Sequence, residues 1–251
     1  MTIKLFLLFI SVVLINPAQG KDADFGLFKR SLNDTEHGYQ RVIDPTGSAP
    51  AKRVEVFEVR PGDCDSNSSW NDCHSDRERS ELSEANKNTK NGDEYWYGWS
   101  FYLDKDFPNI YPAKVTLGQF HQRNSQPVWM FELGKDGLYL TNLVSGTSER
   151  YALLAEGLLR GQWHKIKVQV KWSKRKEGIF NVWLNGVRKL SFRGATMNAK
   201  NVYFKYGLYR AFLSRYYSLN TSGQSDITEV PTQKIYYANV KRASTRKGLR
   251  N

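Results

Sequence analysis

The segment KIKVQVKW (165–172) alternates without a break. Ile166, Val168, Val170 and Trp172 fall on one side, and Lys165, Lys167, Gln169 and Lys171 on the other. Only a β-strand, whose successive side chains point to opposite faces, turns that order into one apolar and one polar surface. The pattern recurs. YWYGWSFYL (95–103) is aromatic and strand-prone, and VYFKYGLYR and KIYYANVKR supply two more strands. VWMFEL and LYLTNL flank GKDG, and FNVWL and VRKLSF flank Asn185-Gly186, a strong two-residue hairpin signal. Helical periodicity is weak, with a turn or two expected near YALLAEGLL. Many short antiparallel strands predict an all-β fold, a sandwich or jelly roll.

A curved sandwich of this kind has a concave groove in which an extended polymer can lie. Three segments carry polar residues that alternate onto a single face. In DRERSELSE these are Arg77, Arg79 and Glu81, opposite Ser80 and Leu82. In VTLGQFHQ, strict alternation puts Gln119 and His121 together with Val115 and Leu117, while Phe120 points away. In VYFKYGLYR it puts Tyr203, Lys205, Gly207 and Tyr209 together. Gly207 on that polar face suggests close approach by a ligand.

The first twenty residues, MTIKLFLLFISVVLINPAQG, read as a secretory leader. Lys4 precedes an apolar run from Leu5 to Ile15, and small residues end it near Gly20. No later segment is long and apolar enough to span a bilayer, so a secreted protein, extracellular or periplasmic, is expected. Residues 21–242 should form one domain and the basic 243–251 a loose tail. In an oxidising compartment, Cys64 and Cys73, the only cysteines, bracket a polar loop and should form a disulfide. They are too few for a metal site of their own, and no metal ligands are assigned. The formal net charge of +12, of which Lys4 accounts for one unit, implies a polyanionic partner.

The three polar faces suit β-elimination from a uronic acid polymer. That reaction needs a donor to neutralise the sugar carboxylate, a base for the C5 proton and an acid for the departing O4. Gln119, Arg79 or Lys205 could neutralise, and His121 suits a base. Lys205 and Arg210 are expected to favour the Tyr209 phenolate, letting Tyr209 serve as acid or as both acid and base. Glycoside hydrolysis would need a flanking carboxylate pair, and the strand-borne Glu-x-Asp-x-x-Glu signature is absent. His37 offers a second imidazole near the groove, His164 a capping or packing group, and His74 an exposed one. Trp129 and Trp183 are expected in the core rather than as sugar platforms.

RSEL, GDEYWYGWSFYLDKDFP, GQFH, GQWHKIKVQVKWS, VWLNG and YFKYGLYR occur in that order between Arg77 and Arg242. The ordered set resembles the jelly-roll polysaccharide lyases, which include glucuronan lyases, heparin lyase of type I and the alginate lyases of the same fold. The resemblance implies a concanavalin A-like β-jelly roll and endolytic cleavage that leaves an unsaturated sugar at the new non-reducing end. It implies Gln119 as neutraliser and His121 with Tyr209 as the proton-transfer pair. Arg79, Glu81 and Lys205 would organise the groove, with Arg77, Arg123 and Arg210 adding substrate-binding charge. The expected partner is an acidic polysaccharide, not nucleic acid, and a monomer is expected.

Two departures stand out. Ser83 follows Arg-x-Glu-Leu where alginate-type relatives carry another arginine, and YYANV has Ala238 where relatives often have aspartate. No cofactor is required by this chemistry, and a structural calcium stays open. Glucuronan is the first substrate expected, then heparin or heparan sulfate, then alginate. The alternative is a non-catalytic, lectin-like binder of acidic polysaccharide.

Overall fold

A computed structural model describes residues 28–221 and 229–249. The leader and the last two residues therefore lie outside the described residues. Two antiparallel sheets form a β-jelly-roll sandwich. The first sheet runs, in spatial order, β1 (Phe28–Arg30), β6 (Arg77–Glu84), β16 (Asn201–Ala211), β9 (Lys114–Gln122), β10 (Trp129–Gly134), β11 (Gly137–Asn142) and β12 (Glu149–Ala155). The short β7 (Thr89–Lys90) joins it through β16. The second runs β15 (Val187–Arg193), β14 (Ile179–Leu184), β13 (Trp163–Lys171), β8 (Glu94–Leu103), β17 (Gln233–Ala243), β3 (Arg53–Val59) and β2 (Tyr39–Ile43). A separate two-strand hairpin, β4 (Ser66–Asn67) with β5 (Trp70–Asn71), stands on its own.

The alternation read from the sequence becomes the core. Ile166, Val168, Val170 and Trp172 are buried between the sheets, and Lys165 is exposed on the other face of β13. Aromatic rings dominate the interior: Trp99 meets Phe131 edge-on at 5.0 Å, and Trp129 stacks on Phe180 at 4.0 Å. Such pairs add to the free energy of burying large rings. Asn185 and Gly186 both take positive φ, 49° and 85°, which closes the β14–β15 hairpin as a two-residue turn demands. The GKDG hairpin also forms, with Gly134 opposite Gly137.

Three expectations need correction. YALLAEGLL gives strand β12 and a single 3-10 turn (Glu156–Leu158), and the α-helix lies elsewhere, at Leu213–Thr221. The tail begins docked rather than loose: Leu249 is buried and packs into the space left by Gly98, which has no side chain. The alternation along β9 is also interrupted. Phe131 pairs with Gly118 but Glu132 with Thr116, so β9 carries an extra residue there. Val115, Leu117 and Phe120 consequently all face the core, and Thr116, Gln119 and His121 face outward.

Strand β16 carries a matching irregularity, because Tyr206 pairs with Gly118 and Tyr209 with Thr116. Gly207 lies within it at φ +133°, and a Cβ there would sit 2.4 Å from the Ser80 carbonyl oxygen. That glycine answers to the backbone of β6, and ligand approach is not its reason. The two irregularities share one anchor. The Tyr237 hydroxyl, reaching across from the second sheet, bonds the carbonyl oxygens of Leu117 and of Gly207 (3.1 Å to the latter). A bulge removes carbonyls from the regular ladder, and buried carbonyls need a donor. Tyr237→Phe should therefore destabilise the protein by about 2 kcal/mol, measured by urea denaturation, with the secondary structure otherwise retained.

Candidate active site

The three polar strands inferred from the sequence are neighbours, in the order β6–β16–β9. Their outward residues floor a groove of about 650 Å³ on the first sheet. Cross-strand pairing sets the rows. Tyr203 lies opposite His121, Lys205 opposite Gln119, and Tyr209 opposite both Thr116 and Arg79. Gln119 and Lys205 thus occupy a row between those bearing His121 and Tyr209.

Under this floor lies Glu81, fully buried. Its carboxylate accepts from Gln119 Nε2 (2.6 Å), Lys205 Nζ (2.5 Å) and Arg79 Nη1 (3.1 Å). Burial alone would raise its pKa, but the Lys205 and Arg79 cations outweigh that and hold the carboxyl below its usual range. Burial has the opposite consequence for Lys205, whose pKa falls to about 8 despite Glu81. Arg79 is engaged twice, since its Nε and Nη2 also donate to Asp72 at 2.5 and 2.6 Å. Burial opposes its charge, yet Glu81 and Asp72 raise its pKa overall.

Asp72 had no sequence signal. It precedes Cys73 in the loop closed by the Cys64–Cys73 disulfide, which forms as expected. The same aspartate accepts from Trp70 Nε1 at 2.8 Å, and the half-exposed Trp70 lines one wall of the groove. A short polar loop with no periodicity gives no direction for its side chains, so only the folded hairpin reveals these contacts.

His121 is half-buried. Its Nδ1 lies 2.9 Å from the Gln122 carbonyl oxygen and 3.1 Å from the Tyr203 hydroxyl. A carbonyl can only accept, which assigns the proton to Nδ1 and leaves the Nε2 lone pair free. Among the described residues Nε2 has no protein hydrogen-bond partner. Burial, and then the Lys205 cation, push the His121 pKa down to about 4, so the imidazole is neutral at ordinary pH.

Tyr209 departs from the expectation of a phenolate. Burial raises its pKa, and the nearby Arg79 and Arg77 cations only moderate the effect. Arg77 Nε donates to the Tyr209 oxygen at 3.0 Å, and the Arg79 guanidinium lies over the ring at 4.5 Å. With its oxygen occupied as acceptor, the neutral hydroxyl keeps its proton available for donation.

The other predicted residues divide. Arg77 lines the groove, whereas Arg210 does not. Arg210 is fully buried on the opposite face of β16, paired with Glu78 and donating to the Pro231 and Arg60 carbonyls. Its residue number is even where the outward residues of β16 are odd, and its charge serves the interior. Arg123 is exposed beyond His121 and borders a neighbouring cavity. His37 pairs with Asp63 at 2.8 Å outside the groove lining. His164 is buried against Leu159 and Asn185, and His74 is exposed. Trp129 is in the core as expected, but Trp183 is not: it is half-buried on the other face of β14 from Val182 and Leu184, stacked on Trp96.

Among the described residues no group of three or more His, Cys, Asp or Glu side chains could hold a metal ion. Ala238 is a buried methyl packed with Val54, Val56 and Tyr236, which does not fit a calcium ligand set. No described helix is long and apolar enough to cross a membrane.

A family model described as polysaccharide lyase matches residues 23–241. The chain belongs to the polysaccharide lyase family. No curated protein matches it in sequence. Among solved structures, the endo-β-1,4-glucuronan lyase of the fungus Trichoderma reesei is similar at 18% identity and a TM-score of 0.60, covering 88% of this chain and 91% of that one. Alginate lyase AlgAT5 of polysaccharide lyase family 7 is similar at 20% identity and a TM-score of 0.56, covering 83% and 84%. Family 7 alginate lyase A1-II′ is similar at 14% identity and a TM-score of 0.58, covering 87% and 95%. These likenesses establish a shared jelly-roll fold. Within this lyase the buried ion pair that depends on the disulfide loop is open to a direct measurement. Asp72→Asn leaves Arg79 short of one counter-charge in a buried site, and should cost about 3 kcal/mol by chemical denaturation.

Proposed function

We propose that the protein is an exported, endo-acting lyase that cleaves a uronic-acid polysaccharide by β-elimination, with glucuronan as its first substrate. One observation carries the reading: a neutral imidazole and a neutral phenol lie on either side of a row of hydrogen-bond donors oriented by a buried carboxylate. The sugar carboxylate would meet the remaining N–H groups of Gln119 and Lys205, which acidifies the C5 proton and stabilises the enolate-like intermediate. His121 Nε2 takes that proton. The electron pair of the C5–H bond becomes the C4–C5 double bond, the C4–O4 bond breaks, and the Tyr209 hydroxyl protonates O4. Arg79 touches Asp72, Glu81 and the Tyr209 ring and acts as a positioning residue.

The carboxylates argue against hydrolysis. Glu81 is saturated by three donors and cannot act as a general acid. Among the described residues Glu132 is the one acidic side chain that lines the groove, and it accepts from Thr141 and faces Lys114 at 3.6 Å. A hydrolase needs two functional carboxylates. For substrate preference, the likeness to a glucuronan lyase supports glucuronan. Surplus positive charge keeps heparin and heparan sulfate next. Alginate comes third, because Ser83 lines the groove opposite Lys205 where alginate-type relatives carry an arginine. The Cys64–Cys73 disulfide supports an oxidising, extracytoplasmic location.

The test is ultraviolet absorbance with time on glucuronan, heparin, heparan sulfate, alginate, hyaluronan and chondroitin. Absorbance should rise on glucuronan, with short products accumulating throughout, and should fall by about a thousandfold or more in Tyr209→Phe and His121→Ala. A flat trace on every polymer, with binding retained, would replace this reading with a lectin. A pH profile supplies a second check. The base works when neutral and the neutralising lysine when charged, so kcat/KM should rise through a pH of about 4 and fall above about 8.

A further inference from the structure

The charges of the groove are unevenly matched. Asp72 and Glu81 balance Arg79 and Lys205 at the centre, Glu132 faces Lys114, and Arg77, without an acidic partner among the described residues, is engaged by the Tyr209 oxygen. At the His121 end the balance fails. Lys87 and Arg123 line a second cavity of about 370 Å³, and no salt bridge engages either among the described residues. The rest of that cavity is Ala85, Asn86, Asn88, Asn124 and Tyr203, all uncharged at ordinary pH. Lys87 is half-buried, its pKa lowered by burial and then by the Arg123 cation. Two cations held together without a counter-charge make a site for an anion.

The second cavity adjoins the groove and shares walls with it. Tyr203, Lys87 and Asn124 line both. Lys87 Nζ sits over the Tyr203 ring at 4.5 Å, and the Tyr203 hydroxyl is 3.1 Å from His121 Nδ1. An anion seated there is therefore one side chain removed from the imidazole.

We propose that Lys87 and Arg123 form a second anion subsite, which takes the carboxylate of a uronate residue beyond the cleaved linkage on the His121 side. This rests on the uronan reading above. It adds that the enzyme measures chain length: an oligomer long enough to place a carboxylate in the second cavity binds more tightly than one that ends at the catalytic row. Trimming the polymer past that length removes the contact, so short products leave readily.

The experiment uses the mature protein, Lys87→Met, Arg123→Gln and the double variant, with oligoglucuronates of increasing length. KM for the long oligomers should rise about tenfold in the double variant while kcat holds, and the shortest cleaved oligomers should be unaffected. The salt dependence of binding should flatten, and Lys87→Arg with Arg123→Lys should restore both. Calorimetric binding of the same oligomers runs in parallel, so the subsite is judged separately from turnover. Equal effects at every length, or long oligomers bound as tightly by the double variant as by the unmodified protein, would overturn the subsite. Absence of unsaturated product on every uronan would instead overturn the lyase reading, while length-dependent binding lost in the double variant would still support the subsite.

Discussion

Everything at the floor of the groove depends on one buried carboxylate. Glu81 on β6 holds Arg79 of its own strand, Lys205 of β16 and Gln119 of β9. A lone buried charge is costly, and it persists only when donors saturate it. The same saturation fixes the direction of each donor. Gln119 must turn its amide nitrogen inward and down, Lys205 must keep its ammonium at the floor, and Arg79 must lie over the Tyr209 ring. Charge balance and geometry are thus a single constraint. A neutral residue at Glu81 would leave Lys205 without its counter-charge, Arg79 with Asp72 alone, and an amide free to rotate.

Local sequence order carried the architecture well. Uninterrupted alternation in β13 placed its core face, and Asn185-Gly186 located a hairpin through the positive φ that such residues tolerate. The site was legible to the extent that period-2 reasoning holds. Arg77, Arg79 and Glu81 share a face, as do Tyr203, Lys205 and Tyr209, and the strands that bear them are adjacent. Gln119 and His121 do face outward together, but Val115 and Leu117 do not join them. A bulge shifts the phase by one residue, and nothing in LGQF announces it apart from Gly118.

Other misses have a different origin. Asp72 is brought to Arg79 by a disulfide-closed hairpin, whose geometry is set by tertiary contacts that no local pattern encodes. Arg210 lies on the inward face of its strand, where Glu78 and two backbone carbonyls receive it. Tyr209 keeps its proton because burial outweighs the neighbouring cations, and burial is what the sequence of β16 alone does not display. The docking of Leu249 against Gly98 needed a partner strand that the basic tail itself does not suggest.

The partners in this site are far apart along the chain: Glu81 and Lys205 are separated by 124 residues, and Arg77 and Tyr209 by 132. Strand β16, which inserts between β6 and β9, is the penultimate strand among the described residues. Until it arrives, β6 and β9 have no common neighbour, Glu81 lacks its lysine and the phenol is missing. A chain made from its amino terminus therefore lacks the assembled candidate site for most of its emergence. On the mechanism proposed above, the groove is complete only when the sheet closes around that late strand, so assembly itself would set the moment at which the enzyme becomes able to cut.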